Sequence, residues 1–501
     1  MNNIYNKIPG FLFFVWIISS CDSFLDTQPT DKYTQDNYWN TEEKAVAALN
    51  GVYASLLDGS LYGNSQPLNY ENLTPNAYGA SENIINQSLH NANTGLFNSV
   101  WSAAYKGIGR ANNFLANIDN VSINESLKQR YIAEAKFLRA VFYFPLWNLF
   151  GGAPLILEAT NDVTQATLPR NSAEELKTQI LKDLDEAVGN LPLSYSGADI
   201  GRVTKGAVLA FKSRILLYDG DWEGAATTAR AVIDLNKYHL FPDYRELFYL
   251  ENENNDEVIF DVQFKYPEFT HAYDMTLDQY NNVAPLRDLV DDYYDIDGKP
   301  ITESSKYDPN NPYENRDPRL KKTIITKDSY FRGTLVDDVR YMRTGYGQKK
   351  YTVYKDDIPA ETIAAGNSEL NYMLLRYGDI LLMYAEAKNE VSGPDNTIYE
   401  ALDLIRDRAG IPRIGRSLTK EQLRQEIRHE RRIELAGEGF YYFDIRRWRI
   451  AEDVLKGDIY NDKGARIDGR NFNKDRDYLW PIPSIAIQEN TNLIQNSGYG
   501  N

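Results

Sequence analysis

The chain has 501 residues, enough for two or more lobes at about 100–200 residues per domain. Hydrophobic residues make up 43% and charged residues 25%, the balance of a folded protein with a sizeable core. The formal net charge of -17 repels phosphate backbones and anionic lipid headgroups, which argues against nucleic acid as a partner.

The N-terminus carries the most specific short signal. Met1 to Gly10 holds one cation, Lys7, and no acid. Phe11 to Ile18 is a continuous apolar run, too short to span a bilayer as a helix but suited to the core of a secretory signal. Ser19 and Ser20 lead to Cys21, the only cysteine in the chain. Ile18-Ser19-Ser20-Cys21 resembles the bacterial lipobox, in which the cysteine sulfur takes a diacylglycerol and becomes the mature first residue. An ordinary signal with an incidental cysteine would leave its position at the cleavage point unexplained, and a lone cysteine has no internal disulfide to make. The expected organisation is a signal peptide over 1–20, a lipidated tether over 21–40, a helical region over 41–250 and a second region over 251–501, the last two packed as one unit. Buried acyl chains, at about 0.8 kcal/mol per CH₂, would hold such a protein on a membrane durably.

Helical periodicity begins at Thr41, with acids Glu42 and Glu43 in a first turn. Ala45, Leu49, Val52 and Leu56 mark an apolar stripe at spacings of three and four, and Trp101–Leu115 and Ile132–Leu146 repeat it. Lys205 to Tyr218, the turn Asp219-Gly220-Asp221 and Trp222 to Leu235 read as a helical hairpin with Ala207, Ala210, Ala225 and Ala229 where the helices cross. Tyr377 to Glu390, the break Ser392-Gly393-Pro394 and Asn396 to Ala409 form a second. Such pairs are the mark of tetratricopeptide-like repeats, although periodicity alone leaves a generic helical bundle open. Between the hairpins lie two long non-helical insertions, Gly59 to Asn93 and Glu251 to Lys355, dense in Tyr, Asn, Asp, Pro and Gly. Loops of that length in a compact protein are functional or disordered, and the aromatic content argues for order.

Several blocks then occur in a fixed order. They are Phe24-Leu25-Asp26, Tyr38-Trp39-Asn40-Thr41-Glu42, Glu134-Ala135-Lys136-Phe137-Leu138-Arg139, Leu149-Phe150-Gly151-Gly152-Ala153-Pro154, Asn315-Arg316-Asp317-Pro318-Arg319, Leu375-Arg376-Tyr377-Gly378-Asp379, Glu430-Arg431-Arg432-Ile433-Glu434, Tyr442-Phe443-Asp444-Ile445-Arg446-Arg447-Trp448 and Leu479-Trp480-Pro481-Ile482-Pro483. Each is weak alone. Together they resemble the SusD/RagB nutrient-binding lipoproteins over essentially the whole mature chain. The resemblance implies a mainly α fold of about four tetratricopeptide-like hairpins with irregular, partly β insertions. It also implies a SusC-like TonB-dependent β-barrel as partner, a lipid anchor in the outer membrane facing the cell exterior, and capture of a glycan without catalysis. Some members of the family handle peptides instead.

The residues offer little for an enzyme. None of the four histidines, His90, His239, His271 and His429, pairs with a Cys or another His at metal-ligand spacing, and no metal or cofactor is expected. Asp295-Ile296-Asp297-Gly298 departs from a calcium loop and reads as a turn. Acids are too many for sequence to pick a glycosidase pair, so no catalytic residue is named, though surface hydrolysis stays open alongside a scaffold that binds only protein. In the helix Leu423 to Leu435, Arg424, Arg428 and Arg432 share one face and Glu426, Glu430 and Glu434 another. That arrangement predicts an ion network, with Asp444, Arg446 and Arg447 as partners. A sugar site needs aromatic plates with polar edges. No Trp lies in either insertion, so the candidates are Tyr70 and Tyr78 with Asn83 in the first, and Tyr273, Tyr280 and Asn282 in the second.

Overall fold

Thr41 begins the first long helix. Its hydroxyl accepts the Lys44 backbone N–H at 3.4 Å, and α1 (Glu42–Tyr53) buries Ala45, Leu49 and Val52. The computed structural model describes residues 38–79, 83–160 and 162–500. Cys21, the expected signal peptide and most of the expected tether lie outside them.

Consecutive helices pair along the chain. α1 pairs with α2 (Gly95–Asn117), α3 (Glu125–Phe150) with α4 (Ala173–Val188), α5 (Lys205–Asp219) with α6 (Trp222–Ile233), and α7 (Tyr377–Ser392) with α8 (Asn396–Ala409). Each pair also packs on the one before it. α2 meets α3, α4 meets α5, and α6 meets α7 across the whole second insertion. This is the stacked-hairpin order of tetratricopeptide-like repeats, and the fold is mainly α as expected.

Small residues set the crossings. A Cβ on Gly107 of α2 would stand 2.6 Å from the Phe142 ring of α3, so only glycine fits there. In the hairpin of α5 and α6, Ser213 Oγ donates to the Ala225 carbonyl at 3.1 Å, which holds the two backbones close. The turn between them uses Gly220 at φ +86° to end α5 and the Asp221 carboxylate, on Gly224 N at 2.9 Å, to start α6. One apolar cluster, from Trp39 to Leu493, takes residues from both 41–250 and 251–501.

Two further helices of the C-terminal half bear on the site, α9 (Lys420–Glu434), opened by a Thr419/Gln422 capping box, and α10 (Tyr441–Arg447). The ion network of α9 is real but its partners differ from those expected. Glu430 and Glu434 turn inward to Arg319, Arg376, Arg406 and Arg408. Asp444 pairs with Arg431 and Arg447, neither of which belongs to the expected stripe, and Arg447 also reaches Glu386. Of that stripe, Arg424 bonds Glu390, Arg432 bonds Asp292, and Arg428 lies over Trp448. Helical spacing shows which residues share a face but not what that face meets.

Six of the short strands bear on the site, β1 (Ala77–Tyr78), β2 (Val258–Val262), β3 (Ala284–Pro285), β4 (Tyr372–Arg376), β5 (Gly457–Tyr460) and β6 (Arg466–Arg470). They form three antiparallel pairs, β1 with β3, β2 with β4, and β5 with β6. The first of these joins the two insertions directly. Asp297-Gly298 forms a turn, with Gly298 at φ +73° and the Asp295 carboxylate accepting the N–H groups of Asp297 and Lys299.

Candidate functional site

Three segments far apart in sequence meet on one face. Register Ala77↔Pro285 and Tyr78↔Ala284 lays the first insertion against the second. Asn72 Nδ2 donates to the Asn282 carbonyl at 2.9 Å, and Leu286 N to the Asn76 carbonyl at 2.9 Å. The β5–β6 hairpin closes the third side. Its Asp468 carboxylate accepts from the Tyr78 hydroxyl at 3.1 Å and from Gln87 Nε2 at 2.8 Å, while Arg470 Nη2 donates to the Thr74 carbonyl at 2.6 Å. Ile459 packs inward with Tyr78 and Leu286, so strand alternation turns Tyr460 outward, 47% exposed.

A second set of contacts fixes the rim. Asp278 accepts from the Tyr341 hydroxyl at 2.7 Å, Arg340 Nη2 at 3.0 Å and Arg332 Nη1 at 2.5 Å. Burial opposes ionisation of Asp278, but this hydroxyl and the two guanidiniums outweigh it and hold the carboxyl below its ordinary value. Two residues on, Tyr280 projects into solvent, 55% exposed. Arg343 Nη1 reaches the Asn281 carbonyl at 3.2 Å, and Asp462 N reaches the Thr344 carbonyl at 2.9 Å, so one loop ties the Tyr280 segment to the Tyr460 hairpin. Asn281 Nδ2 donates to the Tyr346 carbonyl at 3.1 Å, and Tyr346 meets Tyr313 edge-on at 6.2 Å. Beyond Tyr313 opens a polar cleft of about 560 Å³ edged by Asn310, Thr326, Asp328 and Tyr330, the last 58% exposed.

The six candidates divide. Tyr280 offers a free ring at the rim. Asn282 is half-buried and contributes its carbonyl to the joint between the insertions. Tyr78 is buried with its hydroxyl on Asp468. Tyr70 is buried against Tyr442, Phe443 and Trp480, and burial pushes its hydroxyl up. Tyr273 is 0% exposed, packed between His271 and Tyr351, so its ring presents no face to solvent. Asn83 opens a short helix, Asn83–Asn86, and its side chain is outside the described residues. Tyr330 and Tyr460 were not singled out by sequence. For Tyr460 the signal was there: Asp458-Ile459-Tyr460 alternates beside the turn Asn461-Asp462-Lys463-Gly464.

Among the described residues no three His, Cys, Asp or Glu side chains converge as a metal site, and no helix is long and apolar enough to cross a membrane.

Comparison with known proteins places this architecture. The SusD family matches residues 246–499, and a family described as starch-binding, associating with the outer membrane, matches residues 23–217. The chain belongs to the SusD family. SusD-like protein P25 of Formosa agariphila is 25% identical, over 98% of this chain and 100% of its own length. A SusD-like protein of Bacteroides fragilis superposes with a TM-score of 0.82 at 30% identity, covering 94% of this chain and all of that one. Surface glycan-binding protein A of Bacteroides fluxus gives a TM-score of 0.72 at 25% identity, covering 92% of this chain and 100% of that one. The signature blocks of this SusD-family protein fall mainly in its interior. Arg319, Arg376, Asp379, Glu430, Glu434 and Asp444 are all buried in the ion network, and Trp480 in the apolar core. The face that joins the insertions draws on few of them.

Proposed function

We propose that this SusD-family protein is a cell-surface lipoprotein that captures an oligosaccharide and delivers it to a SusC-like TonB-dependent β-barrel in the outer membrane. The observation that carries the reading is the joint face. Two insertions and a hairpin converge there: Tyr280 is exposed two residues from Asp278, whose partner Arg340 is part-exposed, Tyr460 is exposed on the hairpin tied to the same loop, and an Asn- and Tyr-edged cleft opens beyond Tyr313. Tyrosine rings suit the apolar C–H faces of pyranose rings, and carboxylate, amide and guanidinium groups suit their hydroxyls. A relative of this fold bears the name surface glycan-binding protein, and the N-terminal match is to a family described as starch-binding. The lipobox-like stretch ending at Cys21 supports the anchor, and the family supports the barrel partner.

The test is calorimetric titration of the mature protein with panels of neutral oligosaccharides and of peptides, with chromatography of the mixtures afterwards. Saturable binding of an oligosaccharide with no new products is the expected result. Saturation by peptides alone would move the assignment to a peptide-capturing member of the family, and released shorter sugars would overturn the non-catalytic reading.

A further inference from the structure

A second cleft lies on a different set of elements and shares no lining residue with the face above. Its volume is about 450 Å³, between the turn joining α5 to α6, the end of α10, the loop over 474–479 and the C-terminal segment at 496–497. Its floor holds hydrogen-bonding groups left without partners. Arg446 is 5% exposed, and its Nη2 donates to the carbonyls of Asn148 and Tyr478, yet its Nε and Nη1 have no acceptor. Asn148 and Tyr218 also line the cleft, and Asn148 Nδ2 and the Tyr218 hydroxyl, buried just behind its surface, are likewise without partners. Buried polar groups are nearly always satisfied, so three of them around one opening call for a reason.

The charges around this floor are equally one-sided. Within salt-bridge distance Arg446, Arg449 and Lys474 have no carboxylate among the described residues, whereas the other ions of the wall are spoken for: Asp219 by Lys177, Arg447 by Glu386 and Arg476 by Asp477. Asp475 is the one opposing carboxylate without such a partner. Three free cations against one free anion leave a net positive cleft in a chain of net charge -17. Arg446 acts from beneath, where low dielectric makes a charge felt more strongly than at the surface. Burial pulls its proton affinity below the ordinary value, and Arg449 adds to that. The walls carry flat apolar surface too. Trp222 is half-buried at the hairpin turn, and Arg449 lies 4.4 Å over the Tyr478 ring.

We infer that this cleft is a second ligand site, for a saccharide bearing a carboxylate or sulfate group. The oxyanion would sit over Arg446 between Arg449 and Lys474 and keep away from Asp475, with the sugar ring against Trp222. A neutral sugar would leave the cations uncompensated, and a bare inorganic anion would leave the aromatic wall unused.

The experiment is titration of the mature protein with trigalacturonate, with maltotriose and with sodium sulfate, repeated for Arg449→Asn/Lys474→Gln and for Tyr280→Ala. Arg449 has φ +57°, which asparagine tolerates, and both replaced side chains are exposed, so the double variant keeps the fold. Trigalacturonate is expected to bind the wild type, at least about tenfold more weakly in the double variant and in raised salt, and unchanged in Tyr280→Ala. Equal affinity in wild type and double variant, or no binding of trigalacturonate, overturns the inference. So does sulfate or maltotriose binding as tightly as trigalacturonate. Loss of binding in Tyr280→Ala alone would place the acidic sugar on the other face, leaving that site standing and this one refuted.

Discussion

Arg376 Nη1 lies 2.8 Å from Glu434 Oε1 and 2.8 Å from Glu257 Oε1, joining β4, the end of α9 and the segment leading into β2 at one buried point. Around it Arg408 and Arg319 also reach Glu434, and Lys350 and Arg376 share Glu438. Burial opposes ionisation of Glu434, but Arg408, Arg376 and Arg319 outweigh it and hold the carboxyl far below its ordinary value. The network therefore locks the second insertion onto the helical array, and with it the base of the face where the two insertions join.

Glu434→Ala leaves three buried guanidiniums short of a counter-charge. Removing one member of a buried pair costs about 3–5 kcal/mol. Urea unfolding of the variant should show that loss, with exposed-residue controls such as Lys456→Ala within about 0.5 kcal/mol of wild type. A loss below about 1 kcal/mol would show that the network does not hold the fold together.

His271 gives a pH signature. Its Nε2 meets the Leu370 carbonyl at 2.8 Å and its Nδ1 accepts from Tyr273 N at 3.0 Å, the pattern of a neutral ring. Burial lowers its pKa to about 4, against about 6.5 in the unfolded chain. A depressed folded-state value means the contribution is fully present above pH 6.5 and is lost as pH falls toward 4. His271→Gln should therefore differ most from wild type near pH 7, and the gap should narrow by up to about 3 kcal/mol at pH 4. Glu253 and Asp261, raised by burial to about 7 and about 6, titrate in the same range with the opposite sign. Both proteins contain them, so the comparison cancels their effect. A gap that stays constant with pH would mean that the imidazole is not held neutral.

The helical array was legible because its signals are local. Thr41, Gly220, Asp221 and the alanine positions of α5 and α6 each fix a cap or a crossing within a few residues, and the two hairpins stand within two residues of where periodicity put them. The face was legible only in part. Its two insertions could be recognised by composition, but which tyrosines point outward depends on contacts spanning hundreds of residues, such as Tyr78 on Asp468 and Tyr70 on Trp480. Composition treats Tyr273 and Tyr280 alike, and the structure buries one and exposes the other. The cleft beside Arg446 is invisible in sequence for the same reason. An arginine within a family block reads as one more ion-pair partner until the described residues prove to place no carboxylate within salt-bridge distance of it.

Gly107→Ala tests the close crossing of α2 and α3. The added methyl would stand 2.6 Å from the Phe142 ring, inside contact distance, and Phe142 is itself fully buried. Overpacking of this kind costs about 1–3 kcal/mol, more than the gain of about 1 kcal/mol in helix propensity. Thermal unfolding should show a lowered midpoint, and an unchanged or raised one would mean that the helices can separate freely.

Tyr280→Ala and Tyr460→Ala address the proposed glycan site. Both rings are exposed and make no core contact, so the variants should unfold within about 0.5 kcal/mol of wild type. An aromatic plate lost from a binding surface typically costs about 1–2 kcal/mol, or about 5- to 30-fold in affinity for the oligosaccharide that the wild type binds. Tyr273→Phe, a change inside the core, should leave that affinity unaltered. If the two alanine variants bind as tightly as wild type, the sugar lies elsewhere on the molecule.

Cys21→Ser tests the anchor. Expressed in a bacterium with the lipoprotein pathway and fed an alkynyl palmitate, the wild type should take up label and sediment with outer membranes. The serine variant has no thiol for the diacylglycerol, so it should stay unlabelled. Hydrocarbon burial contributes about 0.8 kcal/mol per CH₂, so two or three acyl chains make release immeasurably slow, whereas the unlipidated protein has only weak surface attraction, further reduced by its net charge of -17. The variant should therefore leave the membrane on a salt wash. Equal labelling and sedimentation of both proteins would place the anchor elsewhere and remove the reason for assigning this binding face to the cell surface.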